Sequence, residues 1–146
     1  TDSYLLFEVL FVAQEDGVLP ITQHAMSIGD IAYHDYEGVA LDHGERERLV
    51  ADMGEKNNML LYNHGTLTVG GTAAECFLRM FFLERACSMQ VRALTAGREN
   101  LVIPSQDVQD VVKGQSNPEG TKTLANMLAW PGLLRKLDRE SPGYDA

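Results

Sequence analysis

The chain has 146 residues, which is enough for one ordinary domain with a sizeable buried core. Hydrophobic residues make up 45% and charged residues 23%, so the composition is that of a folded globular protein and excludes a chain disordered throughout. The net charge of −9 excludes nucleic acid and anionic membrane surfaces as main partners, because both repel an acidic protein. No apolar run is long enough to span a membrane, so we expect no membrane partner.

The first part of the chain predicts short strands and one helix. Residues 5–12 fit either a buried strand or a short helix, because periodicity cannot separate the two in so short a run. Residues 31–33 predict a strand, and residues 34–38 predict a polar loop. Residues 44–53 predict a helix that ends at Gly54, a residue type common just after helix C-termini.

A second strand leads into the most informative segment of the chain. Residues 59–62 predict this strand, and residues 67–69 predict another short one after Asn63-His64-Gly65. Gly65 has no Cβ, so the backbone can turn sharply there and direct the His64 imidazole into a cleft. This position suits a metal ligand, but one histidine does not form a metal site. The alternative is a histidine that hydrogen-bonds at the end of a strand.

A long amphipathic helix follows. Thr72 and Glu75 form a capping-box pattern, and the helix is predicted to run to about residue 96. The apolar positions that share its three- and four-residue spacing are Ala73, Cys76, Phe77, Met80, Leu83, Ala86, Cys87, Val91 and Leu94. Phe81 and Phe82 widen this stripe, which predicts burial on more than one side and therefore a homo-oligomer.

The two cysteines indicate the compartment. Cys76 and Cys87 are separated by roughly 16 Å along a straight helix, which is too far for a disulfide between them. Both lie on or near the apolar face, so we expect buried, reduced thiols. Reduced cysteines indicate a reducing compartment, most simply the cytoplasm.

The last third of the chain predicts helices. Residues 104–113 predict a short helix, and residues 114–120 a polar linker. Residues 121–139 fit one final amphipathic helix or two helices broken at Pro131, and residues 141–146 predict a loose tail. Strands in the first half combined with these helices predict an α/β layered domain.

Four segments together resemble the class II aldolase/adducin family. They are Ala13-Gln14-Glu15-Asp16-Gly17, Ile31-Ala32-Tyr33-His34-Asp35-Tyr36-Glu37-Gly38, Asn63-His64-Gly65, and Phe77-Leu78-Arg79-Met80 with Leu83-Glu84-Arg85-Ala86-Cys87. The resemblance implies a three-layer α/β/α class II aldolase-like domain with a mixed central sheet. It makes residues 1–146 the C-terminal two-thirds of one such domain, incomplete at the N-terminus, and implies a homo-oligomer, commonly a tetramer.

The resemblance also implies a chemistry. Enzymes of this family are aldehyde-lyases or epimerases that act on small sugar phosphates or related hydroxy-carbonyl compounds. They hold zinc or another divalent metal between subunits, and the ion polarises the carbonyl of the small-molecule substrate. The adducin branch shares the fold and serves as a non-catalytic cytoskeletal interaction module, of the actin-binding type.

Only part of the metal-ligand set that the family implies is found at the matching positions of this sequence. His64 matches the third metal histidine of the family, whereas the positions of the His-x-His pair fall at Asp2 and Tyr4. The chain contains no His-x-His, so Asp2 is left as a weak second ligand. Because catalytic zinc typically has three protein ligands, we expect weak metal binding or none, and weak activity or none.

The resemblance suggests three further site residues. Tyr144 corresponds weakly to a late catalytic tyrosine of the family, and His24 and Gly65 are expected to line the cleft. A satisfied surface histidine is the simpler interpretation of His24. His34 and His43 are expected to be solvated loop residues.

Overall fold

The computed structural model describes residues 12–38 and 44–145. In chain order the elements are α1 (Gln23–Ser27), β1 (Ile31–His34), α2 (Glu45–Met53), β2 (Asn58–Leu61), β3 (Gly65–Thr68), α3 (Ala73–Leu94), a 3₁₀ turn (Arg98–Asn100), α4 (Gln106–Gln115), α5 (Pro118–Thr123), a π-helical segment (Leu124–Ala129) and α6 (Trp130–Glu140). Asp2 and His43 lie outside the described residues, as does most of the segment at 5–12.

The strands form a mixed sheet in the order β1-β2-β3. β1 runs parallel to β2, with Ile31 opposite Asn58, and β2 runs antiparallel to β3, with Leu61 opposite Gly65. The central strand β2 is buried along most of its length, which explains its continuous apolar sequence.

Helices cover the two faces of this sheet. Because side chains alternate along a strand, Met59 and Leu60 point to opposite faces of β2. Met59 packs with Met53 of α2, whereas Leu60 packs with Leu83 of α3. Burial of each such side chain contributes about 1.5–3 kcal/mol to folding. The predicted three-layer α/β/α arrangement with a mixed sheet is confirmed.

The cap predicted for α3 is present. The Thr72 hydroxyl oxygen accepts a hydrogen bond from the Glu75 amide at 3.2 Å. The Glu75 carboxylate accepts from the Gly71 amide at 3.2 Å, one residue before the position expected in a capping box. The helix ends at Leu94, slightly before the predicted residue 96.

The buried face of α3 differs from the predicted stripe. Its buried residues are Ala74, Glu75, Leu78, Met80, Leu83, Ala86, Cys87 and Gln90. Ala73 is exposed, and Cys76 is only half-buried whereas Cys87 is fully buried. The polar residues Glu75 and Gln90 are also buried on this face, although the apolar spacing does not predict them there. Their burial is possible because each has a hydrogen-bond partner outside α3.

The C-terminal helical region contradicts the predicted linker at residues 114–120. α4 continues to Gln115, and α5 begins at Pro118, where proline suits the first helical position. The Asn117 side chain caps α5 by accepting from the Gly120 amide at 2.6 Å. Residues 141–145 form exposed turns after α6.

Helical structure then continues through Pro131. Proline lacks the N–H that an α-helix needs at this point and clashes with the carbonyl four residues earlier. Here Pro131 stands in the first turn of α6, directly after the wider π-helical segment Leu124–Ala129. The sequence left open one final helix or two helices broken at Pro131. The structure has one continuous helical run through Pro131, made of consecutive α, π and α segments.

Candidate functional site at the β2–β3 hairpin

Three residues connect the antiparallel strands β2 and β3. Leu61 and Gly65 pair across the hairpin, so Tyr62, Asn63 and His64 form its loop. Asn63 has φ 54°, in the left-handed region that asparagine tolerates better than most residues. The sharp turn predicted at Gly65 therefore falls on Asn63, and Gly65 is already the buried first residue of β3.

His64 is exposed at the tip of this hairpin, with its amide bonded to the Leu61 carbonyl at 3.0 Å. In the part of the chain that the structure describes, no group of three or more His, Cys, Asp or Glu residues is placed to hold a metal ion. Catalytic zinc typically has three protein ligands, so these residues do not by themselves fit a complete metal centre. Asp2 cannot be placed, because it lies outside the described residues.

His34 is buried beside the hairpin, so the prediction of a solvated loop residue is wrong. Its side chain is 3% exposed, and its Nδ1 lies 2.7 Å from Oδ2 of Asp52 on α2. Its Nε2 lies 3.9 Å from Oε1 of Glu45 and has no hydrogen-bond partner among the described residues. The strand period of two could have revealed this, because His34 shares the buried face of Ala32.

The backbone also joins β1 to the hairpin. The Tyr62 amide donates to the His34 carbonyl at 2.9 Å, which places the end of β1 and the hairpin loop at one edge of the sheet. The Tyr33 and Tyr62 rings stack there, with centroids 5.8 Å apart. Partial burial raises the pKa of Tyr33, whose hydroxyl oxygen accepts a hydrogen bond from the Val18 amide. Tyr33 is therefore a packing residue.

Gln90 is a core residue that sequence reasoning missed. Its Oε1 accepts from the Leu19 amide at 2.7 Å, and its Nε2 donates to the Gly17 carbonyl at 2.8 Å and to Gln14 Oε1 at 3.3 Å. These bonds attach the segment at residues 14–19 to α3. Glutamine is usually exposed, so nothing local to Gln90 signalled this role.

The other two predicted site residues lie on other elements. His24 is in α1, with its ring 5.6 Å from that of Phe82 on α3. Tyr144 lies in the exposed turns after α6, where partial desolvation, then the carboxylates of Asp138 and Asp145, raise its pKa. The described contacts of neither residue include His64, and their roles in a site stay predictions.

Comparison with known proteins identifies the class of this fold. Residues 7–91 match the family model described as Class II Aldolase and Adducin N-terminal domain. This match covers more than half of the chain. The chain therefore belongs to the class II aldolase and adducin N-terminal domain family, as its four sequence segments predict.

Individual relatives are similar over most of this chain. A protein of Caulobacter vibrioides named "Putative aldolase class 2 protein" is 56% identical over 133 residues, covering 90% of this chain and 51% of that protein. The crystal structure of an aldolase II superfamily protein from Pseudomonas syringae has a TM-score of 0.83 and 41% identity, covering 94% of this chain and 55% of that one. Mouse alpha-adducin is 42% identical over 94 residues, covering 62% of this chain and 13% of adducin.

The chain thus spans about half the length of the first of these relatives. Among the described residues, no helix is both long and apolar enough to cross a membrane.

Proposed function

We propose that this protein is by descent a zinc-dependent aldehyde-lyase or epimerase of the class II aldolase type. Its substrate class is small sugar phosphates or related hydroxy-carbonyl compounds, and the chain by itself has weak activity or none. The observation that carries the proposal is His64, exposed on the hairpin loop of a family fold. The relative named as a putative aldolase, 56% identical, supports the same class.

His64 would supply one imidazole to zinc or another divalent ion. The remaining ligands must come from outside the described residues, from Asp2 or from another polypeptide segment. We further propose that residues 1–146 belong to a single class II aldolase/adducin-like domain, and that the protein acts in the cytoplasm and assembles with copies of itself.

Zinc content tests the catalytic proposal. The purified chain is equilibrated with zinc, dialysed and measured by elemental mass spectrometry, beside His64→Ala and the matched control His24→Ala. We expect sub-stoichiometric zinc that falls in His64→Ala and stays at the wild-type level in His24→Ala, because His64 is a proposed metal ligand and His24 is not. Near-stoichiometric zinc lost with His64 would mean a complete site, and aldolase assays with sugar phosphates would then follow. Zinc that is absent from all three proteins, or independent of His64, would overturn the role of His64 as a metal ligand and with it any metal-dependent activity of this chain.

A second candidate is a non-catalytic interaction module of the adducin type. The similarity to mouse alpha-adducin, at 42% identity over 94 residues, supports it. Co-sedimentation with actin filaments tests it. Saturable pelleting, unaffected by His64→Ala, would support the module, whereas no pelleting above the protein-only control would count against it.

A further inference from the structure

A cavity of about 840 Å³ lies at the opposite end of β2 from the His64 hairpin. Its wall is formed by residues 27–30, 55–58, 115–118 and 120–121, together with Arg79, Phe82 and Leu124. Asn58 in this wall is the first residue of β2, about 10 Å of strand away from Leu61 at the hairpin. The volume is within the range of small-molecule sites, so this cavity is a candidate site separate from the hairpin.

Arg79 places a positive charge in the wall, and its guanidinium group is not fully hydrogen-bonded within the described residues. Its side chain is 15% exposed, and its Nε is buried with no hydrogen-bond partner among the described residues. The closest described carboxylate oxygen, on Glu75, is 4.0 Å from Nη2, which is longer than a hydrogen bond. That carboxylate already accepts from the amide of Gly71 and the side chain of Asn126. A largely buried guanidinium with five donors is stabilised by an anion that accepts from it.

The other charges of the wall leave this cation available. Lys56 adds a second positive charge to the lining. Asp30 is bonded to Lys113 at 2.8 Å, so its carboxylate is engaged. Glu55 is exposed, where its charge is screened by solvent.

Asn58 adds a fixed acceptor to the same wall. It is 2% exposed, and its Nδ2 donates to the Ile28 carbonyl at 2.8 Å, which sets the orientation of the amide. Its Oδ1 is buried and has no hydrogen-bond partner within the described part of the chain. Such an acceptor is costly unless a donor such as a hydroxyl satisfies it. Phe82 gives the wall an apolar patch against which carbon atoms can pack.

We propose that this cavity binds a small hydroxylated oxyanion, a carboxylate or a phosphate. The anionic group pairs with the guanidinium of Arg79, and a hydroxyl group donates to Oδ1 of Asn58. The site is independent of the proposed metal ligand His64 and of any reaction at the hairpin.

Isothermal titration calorimetry tests the ligand class. The chain is titrated with gluconate and with glucose 6-phosphate, in the presence of a chelator that removes divalent ions. We expect saturable binding of at least one of them with a Kd of about 1 mM or below, and the tighter of the two identifies the anionic group. Glucose and acetate, which carry only the hydroxyls or only the charge, should bind at least about tenfold more weakly. The proposal is overturned if neither anion binds, or if glucose or acetate binds equally well.

Variants locate the site. Arg79→Gln should weaken binding by about tenfold or more, because it removes the charge and most of the donors. Two controls should bind as the wild type does: Arg85→Gln, since Arg85 is an exposed cation of the same helix lying over Phe81, and His64→Ala at the hairpin. Wild-type affinity in Arg79→Gln, or binding lost in His64→Ala, would contradict the proposal.

Folding of each variant is checked by its urea unfolding midpoint. If Arg79→Gln fails to fold, Arg79→Lys keeps the charge but removes the planar donor pair, and should still weaken binding measurably. Unchanged affinity in a folded Arg79→Lys would then count against the site.

Discussion

Single buried polar side chains hold this fold together at places where apolar residues would be expected. His34 connects β1 to Asp52 of α2, and Gln90 connects α3 to the segment before α1. Each is almost fully buried, and each has a partner from another element. Buried polar groups are tolerated because they are hydrogen-bonded, so these residues specify which elements pack together.

Replacing Gln90 tests this role. Gln90→Leu keeps the approximate volume but leaves the Leu19 amide and the Gly17 carbonyl without their side-chain partner. We expect a loss of about 2 kcal/mol in the free energy of unfolding, measured by urea denaturation. The control Gln106→Leu changes an exposed glutamine of α4 and should alter stability by less than about 0.5 kcal/mol. Equal effects of the two substitutions would contradict a structural role for Gln90.

At the scale of elements, two helix N-termini show that a residue type suited to capping does not always form a cap. The Thr72 side chain caps α3, whereas Ser105 precedes α4 without a side-chain hydrogen bond to that helix. Both residues are of types favoured at helix N-termini, so sequence alone does not separate them.

This pair gives a matched prediction. Thr72→Ala should lower the free energy of unfolding by about 1 kcal/mol, because the Glu75 amide loses its acceptor. Ser105→Ala should change it by only a few tenths of a kcal/mol. Urea unfolding of both variants measures the difference, and a larger effect at Ser105 would show that the caps are assigned wrongly.

Glu75 makes the stability of the same helix end depend on pH. Burial alone would raise the pKa of its carboxyl, but hydrogen bonds from Asn126 and the Gly71 amide, with the charge of Arg79, outweigh burial and lower it. A lowered pKa in the folded state favours folding above the unfolded value, near 4.5, and this contribution is lost as pH falls through the folded pKa.

Glu75→Gln should therefore remove part of the acid sensitivity. We expect the stability difference between wild type and Glu75→Gln to be largest near pH 7 and to shrink steadily below about pH 4.5. Urea unfolding at several pH values measures this difference. A difference that is constant with pH would show that Glu75 does not titrate as described.

At the scale of the whole molecule, apolar side chains are left on the surface. Phe81 of α3 is 42% exposed, and Met127 and Leu128 of the π-helical segment are 70% and 64% exposed. Exposed apolar side chains of this kind are common at protein–protein contacts, so we expect copies of the chain to assemble through them.

Light scattering coupled to size exclusion tests assembly. We expect a mass above the 16.1 kDa of one chain, and we expect Phe81→Glu to shift the population toward monomer by placing a charge in an apolar contact. A stable, monodisperse monomer in dilute solution would contradict the prediction.

The sequence by itself determined the class of the fold and the types of most elements. The apolar run of β2, the cap and length of α3, and Gly54 after α2 are local signals, and the structure contains each element they predicted. The hairpin that carries His64 was also predictable, because Asn63-His64-Gly65 directly follows a buried strand. These features depend on neighbouring residues alone.

Only the tertiary structure decided which polar residues are buried and where a cavity opens. The hydrogen bond between Leu19 and Gln90 joins residues that are 71 positions apart in the sequence. The hydrogen bond from Asn58 to the Ile28 carbonyl joins residues that are 30 positions apart. His34 of β1 is buried beside Asp52 and Glu45, and both of these residues belong to α2. A buried polar group is stable only with a partner, and no local pattern states where the chain will bring that partner.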